Sequence, residues 1–262
     1  PAVDIKPVPR GRRIEGASIS TPTMAWGGGD GTSITPFTTT SMVAAIDTTI
    51  FTVDGAIEIG RDFLSDSAID VGATLTALVG DRLMNELDKK IANGNGTTEI
   101  EGLFQKSGVA TATPDNTTTG PPTLDDYYDL LFGVAKQYRK PAYNCAFVSN
   151  DTSFRRTRGI KIDVGTTDQR AALAPNMDAS FFNTYSTLGW PHKIENNLAN
   201  GYAGFFALKK YRLYRRLGME MRFIDGGTTL AKANTILLVY RARYGGQLMD
   251  ANAGIKWTNG QS

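Results

Sequence analysis

Cysteine and histidine are almost absent from this chain, which has one of each, Cys145 and His192, among 262 residues. A single cysteine excludes an intrachain disulfide and a metal site built on a cysteine cluster. Zinc sites with several histidine or cysteine ligands have too few ligands here. Any serine–histidine–acid catalytic site would have to use His192 itself. We therefore expect no metal and no cofactor.

The surroundings of these two residues favour structural roles. Cys145 lies in the apolar run "YNCAFVS", where a buried thiol is favoured over a nucleophile. His192 follows Pro191 in "GWPHKIENN", and a ring that caps or stacks is favoured over a catalytic one. A hydrolase that depends on His192 stays open only as a distant alternative.

Long apolar runs and a strong net charge are also missing. No segment approaches the roughly 20 apolar residues of a transmembrane helix, so we expect no membrane association. A net charge of +2 is too small to imply nucleic-acid binding by itself. With 41% hydrophobic residues, the chain can build a core, and its length suggests one or two domains.

Glycines are plentiful, and "KKIANGNGTTEIEGLF" (residues 89–104) places Gly94, Gly96 and Gly102 close together. A phosphate-binding loop of the G-x-x-x-x-G-K-[ST] type follows a strand and opens a helix. A dinucleotide fingerprint also needs strand, glycines and helix in that order. These glycines instead follow a helical pattern. They predict a helix end that turns back into a sheet.

That helical pattern predicts a long helix over residues about 65–93. Ser65 or Asp66 is the expected N-cap, and apolar residues recur at near four-residue spacing. Lys89 and Lys90 fall in the last turn, where cations suit the helix dipole, and Gly94 is the expected stop. About 27 helical residues would span about 40 Å, which suggests an elongated spine.

The N-terminal region shows no helical periodicity. Residues 1–16 hold three prolines and no regular pattern, so we expect an extended arm that becomes ordered against a partner surface. Residues 17–41 are rich in Thr, Ser and Gly and predict a long hairpin with its tip near 27–31. Residues 42–59 read as two short strands separated by a turn at Asp54 and Gly55.

The second half of the chain mixes helices and strands. Residues 107–122 predict a linker or exposed loop. A helix is expected from Thr123, as its N-cap, with Asp126 three residues on, until Pro141 closes it. Strands are predicted at "YNCAFVS", "GYAGFFAL", "LGMEMRF" and "NTILLVYRARY". This order predicts an α+β fold.

Two basic clusters with interleaved aromatic residues are the remaining candidates for binding. The first contains Arg155, Arg156 and Arg158, and the second contains Lys209, Lys210, Arg212, Arg215 and Arg216 with Tyr211 and Tyr214 between them. Basic residues mixed with aromatics can bind nucleic acid. A solvated face or a subunit contact is favoured over that role for each cluster.

The order of elements resembles the major capsid proteins of tailed phages with the Hong Kong 97 fold. The spine ending "NGNGTTEIEGLF" is similar to the turn that closes the long helix in that family. "FLSDSAIDVGATLTALVGDRLMNELDKKI", "CAFVSNDTSFRRTR" and "LGWPHKIENNL" resemble its spine helix, an axial-domain strand with its short helix, and a Gly-hydrophobic-Pro turn. The resemblance covers most of residues 17–256.

The resemblance implies a domain division and subunit contacts. It makes 1–16 the N-terminal arm, 17–50 the extended loop, 51–106 with 217–245 the peripheral domain, 107–122 a linker, and 123–216 with 246–262 the axial domain and C-terminal strand. The implied inter-subunit residues are Trp26, Gly27, Gly28, Gly29 and Asp30 at the loop tip, Asp225, Gly226, Gly227 and Thr228 in the peripheral loop, and Arg10, Arg12 and Arg13 in the arm. Arg155, Arg156, Arg158, Lys209 and Lys210 would face DNA or a neighbouring subunit.

The resemblance also implies partners and a location. The chain would form hexamers and pentamers of an icosahedral shell around double-stranded DNA, be assembled in the host cytoplasm and reside in the virion. Portal protein, maturation protease, scaffold and a cementing or decoration protein are the other implied partners. A chain that begins at Pro1 fits a scaffold-cleaved subunit. An encapsulin-type nanocompartment, which shares this fold, is the alternative.

Some members of the family join their subunits through an isopeptide bond between an extended-loop lysine and an asparagine of a neighbour, assisted by a glutamate. This chain has no lysine between Lys6 and Lys89, and "NTILLVYRA" has no glutamate. We therefore expect an uncrosslinked shell.

Overall fold

The computed structural model describes residues 2–19, 43–66, 71–114, 122–158, 160 and 185–258. The predicted hairpin tip, Trp26 to Asp30, lies outside these residues. Within them the chain forms twelve strands, β1 Asp4–Pro7, β2 Arg13–Ile19, β3 Val43–Thr49, β4 Phe51–Gly60, β5 Ala110–Thr111, β6 Cys145–Ser149, β7 Ser186–Thr187, β8 Trp190–Ile194, β9 Ala203–Ala207, β10 Tyr211–Ile224, β11 Thr235–Leu248 and β12 Gly254–Trp257.

Five α-helices accompany these strands in the described residues: α1 Arg61–Asp66, α2 Val71–Asn93, α3 Leu124–Gly133, α4 Asp151–Arg158 and α5 Thr228–Ala233. A four-stranded sheet has the order β1-β10-β11-β4, and a six-stranded sheet has the order β5-β12-β9-β6-β8-β7. The strands β2 and β3 form a separate antiparallel pair. The mixture confirms the predicted α+β class.

Helix α2 is the predicted spine, and its C-terminal end lies where the sequence places it. Val79, Leu83 and Leu87 are buried at four-residue spacing, and Leu83 and Leu87 belong to the core shared with both sheets. The prediction for its start was wrong in one respect. Ser65 and Asp66 lie inside α1 and therefore do not cap the spine, because helical residues already begin at Arg61.

The glycines at the end of α2 allow two backbone segments to cross. The chain turns back so that Leu103 N and Phe104 N donate to the carbonyls of Ile91 and Ala92, at 2.8 and 3.0 Å. These bonds satisfy carbonyls that a helix end leaves without intrahelical partners. A Cβ atom on Gly94 would lie 2.0 Å from the Ile100 oxygen, and one on Gly102 would lie 2.3 Å from the Gly94 nitrogen. The glycines therefore serve backbone packing.

The N-terminal arm is more regular than expected. Its strand β1 pairs in parallel with β10, from Asp4 beside Arg212 to Pro7 beside Arg215. The arm therefore finds an ordering surface within its own chain, and β1 becomes an edge strand of the four-stranded sheet. The hairpin stem also begins earlier than residue 17, because β2 starts at Arg13 and pairs with Thr49 of β3.

The predicted turn at Asp54 and Gly55 is wrong, because β4 runs through both residues without interruption. Gly55 lies opposite Tyr240 of β11. A Cβ atom at Gly55 would lie 2.2 Å from the Tyr240 hydroxyl oxygen. The glycine accordingly makes room for the tyrosine ring of the neighbouring strand.

The start of the predicted linker 107–122 belongs to the fold. Val109 is buried, and β5 pairs in parallel with β12 through Ala110 beside Ile255. The predicted boundary at 216/217 also falls inside a strand, since β10 joins the four-stranded sheet from Tyr211 onward. Likewise β11 extends past 245 to Leu248. One hydrophobic core continues across these boundaries.

Helix α3 starts as predicted and ends early. Thr123 and Asp126 form a reciprocal capping box, with both backbone-to-side-chain hydrogen bonds present. The helix stops at Gly133, before the predicted end at Pro141. Ile255 explains the presence of glycine there, because a Cβ atom at Gly133 would lie 2.3 Å from its side chain.

Candidate functional site

The buried histidine is part of a hydrogen-bonded core contact. His192 Nε2 lies 2.7 Å from the Ser149 hydroxyl oxygen and Nδ1 lies 2.8 Å from the Thr187 hydroxyl oxygen. Ser149 is 0% exposed and His192 is 3% exposed. The imidazole therefore connects β6, β7 and β8 in the interior, and a serine hydroxyl without solvent access offers no nucleophile to a substrate.

Cys145 has the structural role expected of it. Its thiol is buried and lies 3.0 Å from the Tyr138 carbonyl oxygen. Burial raises the pKa of the Cys145 thiol, which disfavours the reactive thiolate. In the described part of the chain, no three His, Cys, Asp or Glu side chains come together as metal ligands.

The three arm arginines have different environments. All three are exposed, and Arg13 alone of them forms an ion pair in the described residues, with Asp47 of the facing strand. The hydrogen bond to Asp47 and its negative charge raise the pKa of the Arg13 guanidinium. The Arg12 carbonyl accepts from Ile50 N at 2.7 Å. Thus the arm's backbone is held by its own subunit, and the side chains of Arg10 and Arg12 remain at the surface.

The two basic clusters belong to different elements. Arg155 is exposed and Arg156 half-buried on α4, and Arg158 is the last residue of that helix. Lys209 and Lys210 lie on a short 3-10 turn between β9 and β10. Lys210 Nζ lies 4.9 and 5.3 Å from the ring centres of Tyr143 and Tyr138. These cation–π contacts occupy Lys210 within the subunit, while Lys209 is exposed.

The peripheral loop forms an exposed connection between β10 and α5. Asp225 to Thr228 are all exposed, and Gly227 has φ 142°, a conformation that favours glycine. Arg61 Nη2 donates to the Asp225 carbonyl at 2.7 Å. This bond fixes the base of the loop to α1, and the loop's side chains face outward.

Sequence reasoning missed a set of exposed apolar side chains. Large apolar residues away from the core lie on α1, on the spine and at the end of β10: Phe63, Leu78, Met84, Phe223 and Ile224. Phe63, Met84 and Phe223 are each more than half exposed, at 61%, 61% and 55%. The hydrogen bond from Arg61 to the Asp225 carbonyl brings α1 to the end of β10, and exposed apolar side chains that lie together mark an interaction site in soluble proteins. A signal was present for Leu78 and Met84 only, because both are apolar residues of α2 outside the buried row Val79, Leu83 and Leu87.

The arrangement offers surfaces for contact between proteins. Chemistry-bearing groups are buried, as at His192 and Cys145. The exposed candidates are Arg10 and Arg12 of the arm, Arg155 of α4, the peripheral loop and the apolar side chains on α1, on the spine and at the end of β10. Together they form extended surfaces on several elements, and such surfaces suit a subunit that meets several neighbours.

Comparison with protein families matches residues 12–258 to a model described as the phage capsid family. Comparison with curated protein sequences finds no match. In the described part of the chain, none of the helices has the length and apolar character needed to cross a membrane.

Several solved structures align with nearly the whole chain at low sequence identity. The capsid of a native GTA particle aligns with TM-score 0.77 and 16% identity, covering 98% of this chain and 87% of that chain. A chain of Gordonia phage Cozz aligns with TM-score 0.68 and 14% identity, covering 98% and 84%. The capsid of Myoviridae phage XM1 aligns with TM-score 0.66 and 11% identity, covering 98% and 89%.

Proposed function

The chain belongs to the phage capsid family, and on that premise we propose how its subunits build a shell. As a major capsid protein it is a structural component of the virion. We propose that it assembles into hexamers and pentamers of an icosahedral shell that encloses double-stranded DNA. The axial unit around the six-stranded sheet would surround the five- and six-fold centres. The peripheral unit around the four-stranded sheet would meet neighbours near three-fold positions.

The exposed apolar side chains around the peripheral loop carry this proposal. Phe63, Phe223 and Ile224 remain at the surface of the single subunit at 61%, 55% and 41% exposure. Their burial between copies would supply favourable free energy at about 25 cal/mol per Å² of apolar area. Repetition of such contacts around a closed shell would multiply individually weak interfaces. Asp225, Gly226, Gly227 and Thr228 are the proposed contact residues of this region.

The hairpin and the arm extend the contacts to further neighbours. The stem formed by β2 and β3 leads toward the loop tip, where Trp26, Gly27, Gly28, Gly29 and Asp30 are proposed to contact an adjacent subunit. Arg10 and Arg12 are exposed beside the stem. An isolated two-stranded hairpin is marginal in water, so contact with a neighbour would stabilise this one.

Other partners follow from the same premise. Arg155, Arg156, Arg158 and Lys209 are proposed to contact packaged DNA without sequence preference or a neighbouring subunit. Portal protein, maturation protease and scaffold would act during assembly, and a cementing or decoration protein would add to shell stability. The absence of a lysine between Lys6 and Lys89 supports a shell without covalent crosslinks.

Negative-stain microscopy of the purified full chain tests the proposal. Uniform closed icosahedral particles are the expected result, and persistent monomers at high protein concentration would contradict it. Particles that enclose an enzyme cargo and no nucleic acid in the native host would instead support a nanocompartment. A ladder of covalent multimers on denaturing gels of mature particles would overturn the crosslink proposal.

A further inference from the structure

The base of the hairpin, which is the end of β3, packs on a segment of β11. This segment consists of Gly245, Gly246 and Gln247 and is called the seat. A Cβ atom on Gly245 would lie 2.7 Å from the Thr49 carbonyl oxygen and 3.3 Å from the Thr48 methyl carbon. The end of β3 therefore packs directly on the backbone of β11. Any side chain at residue 245 would push the two strands apart.

Gln247 fixes this contact with hydrogen bonds. Its side-chain nitrogen donates to the Asp47 carbonyl at 3.1 Å and to the Thr48 hydroxyl. Gln247 is 6% exposed and Thr48 is 4% exposed. Two donors of one amide thus bind two neighbouring residues of β3, away from water, where an unmade hydrogen bond is costly.

The other end of the same amide contacts the turn after the spine. Lys106 Nζ donates to the Gln247 side-chain oxygen at 3.1 Å and to Glu101 Oε2 at 3.0 Å. Glu101 N donates to the Gly246 carbonyl at 3.0 Å, and the Tyr211 hydroxyl donates to the Glu101 carbonyl at 2.8 Å. One side chain therefore connects the hairpin base to the end of the spine helix.

We propose that Gln247 is a positioning residue that sets the direction in which the hairpin leaves the subunit. The polar chain Glu101–Lys106–Gln247–Thr48 ties that direction to the spine and to β11. The consequence for assembly rests on the proposed function, since a hairpin that reaches a neighbour must leave each subunit at a defined angle. The seat itself is a property of the single subunit and can be measured without assembly.

Substitutions can separate the two ends of this connection. Gln247→Glu keeps an acceptor for Lys106 and removes the donors to Asp47 and Thr48. Lys106→Met removes the spine-side contact and keeps the amide donors to β3. Gln247→Met removes the contacts to β3 and to Lys106 and conserves side-chain length. Arg222→Met, an exposed residue at the far end of β10, is the matched control.

Hydrogen exchange of the purified full chain, read on unassembled subunits, provides the direct test. We expect amides of Thr48, Thr49 and Ile50 to exchange about tenfold faster or more in Gln247→Glu and Gln247→Met. Lys106→Met should give a smaller increase at the same amides. Protection of β6 and β9 should stay unchanged in all three, and Arg222→Met should match the parent chain. Unchanged protection at the hairpin base in Gln247→Glu would overturn the proposal.

Assembly gives a second readout that a merely stabilising residue would not affect. If Gln247 sets the hairpin direction, Gln247→Glu should broaden the distribution of particle diameters in microscopy. A residue that only stabilises the subunit would lower the yield of particles and leave their diameter uniform, which would contradict a positioning role. If the parent chain forms no particles, the proposed function fails, whereas the exchange result on subunits still decides whether Gln247 holds the hairpin.

Discussion

The two large sheets differ in how completely one subunit buries them. Every residue of β6 and β9 in the six-stranded sheet is buried. The ring centres of Phe147 and Phe205 lie 4.7 Å apart there. In the four-stranded sheet β4 alternates between half-buried and exposed positions, and the last residues of β10 are exposed. One subunit therefore buries the centre of the six-stranded sheet (the complete sheet) and leaves the far end of the four-stranded sheet (the incomplete sheet) exposed.

The largest expected effect tests the complete sheet. Phe206 is 0% exposed and its ring lies 5.3 Å from that of Phe104. Phe206→Ala should lower the free energy of unfolding by about 3–5 kcal/mol, because it leaves a cavity in a closed core. Denaturant unfolding of unassembled subunits measures this. Phe223→Ala in the incomplete sheet is the control and should stay within about 0.5 kcal/mol; equal losses in both variants would remove the distinction between the sheets.

The spine-end turn joins the two regions, and its glycines give the next effect. Gly102→Ala should cost about 1–3 kcal/mol, since the new methyl group meets the backbone of the crossing segment. The Cβ atom would lie 2.3 Å from Gly94 N and 2.7 Å from Asn93 N. Gly226→Ala, where nothing lies within 4 Å, is the control and should change unfolding little. A Gly102→Ala chain as stable as the parent would show that this crossing is loosely packed.

A third prediction concerns the incomplete sheet, where a substitution should affect association more than it affects the stability of the subunit. Phe223→Ser should leave the unfolding of unassembled subunits within about 0.5 kcal/mol of the parent. Association should weaken about tenfold or more, because an exposed aromatic ring of this kind contributes most when a partner covers it. Sedimentation against protein concentration measures this. Ala56→Ser, a change at an exposed small residue of β4, should leave association nearly unchanged, and an equal effect of both would argue against a contact centred on Phe223.

A similar contrast separates the features that could be predicted from the sequence from those that could not. The spine end and the capping box at Thr123 were predictable because local patterns determine them. The pairing of β1 with β10 was not, since the register of the two strands joins Asp4 to Arg212, 208 positions later in the chain. The predicted turn at Gly55 was wrong for a related reason. Its need for a small residue comes from Tyr240 on another strand, and a sequence pattern records only the glycine.

The candidate surfaces show the same division. The peripheral loop could be located from "DGGTT" and the family resemblance, because turn residues carry a local signal. The role of Gln247 could not, since its partners are Asp47, Thr48 and Lys106, all more than a hundred positions away in the chain. Exposure of Phe223 was also missed. Alternation in "LGMEMRF" predicts one apolar face, but it does not say whether the same subunit covers that face.

The smallest expected effect lies at the rim between the spine and the six-stranded sheet. Partial burial at this rim raises the pKa of the Asp88 carboxyl, the negative charge of Glu195 raises it further, and Lys193 partly offsets both. A carboxyl with a raised pKa binds its proton more tightly in the folded chain. Its contribution therefore favours folding below the ordinary value of about 4 and turns into a penalty as the pH rises through the raised value.

Asp88→Asn should remove that penalty. Because Asp88 lies at an exposed rim, the gain in unfolding free energy at pH 7 should be small, and it should vanish as the pH falls below about 4. Denaturant unfolding of both chains across this pH range measures the difference, with Asp81→Asn on the same helix as the charge-matched control. A variant less stable than the parent at pH 7 would mean that Lys193 outweighs burial and Glu195. The negative charge of Asp88 would then stabilise the contact between the spine and the six-stranded sheet, contrary to the expectation.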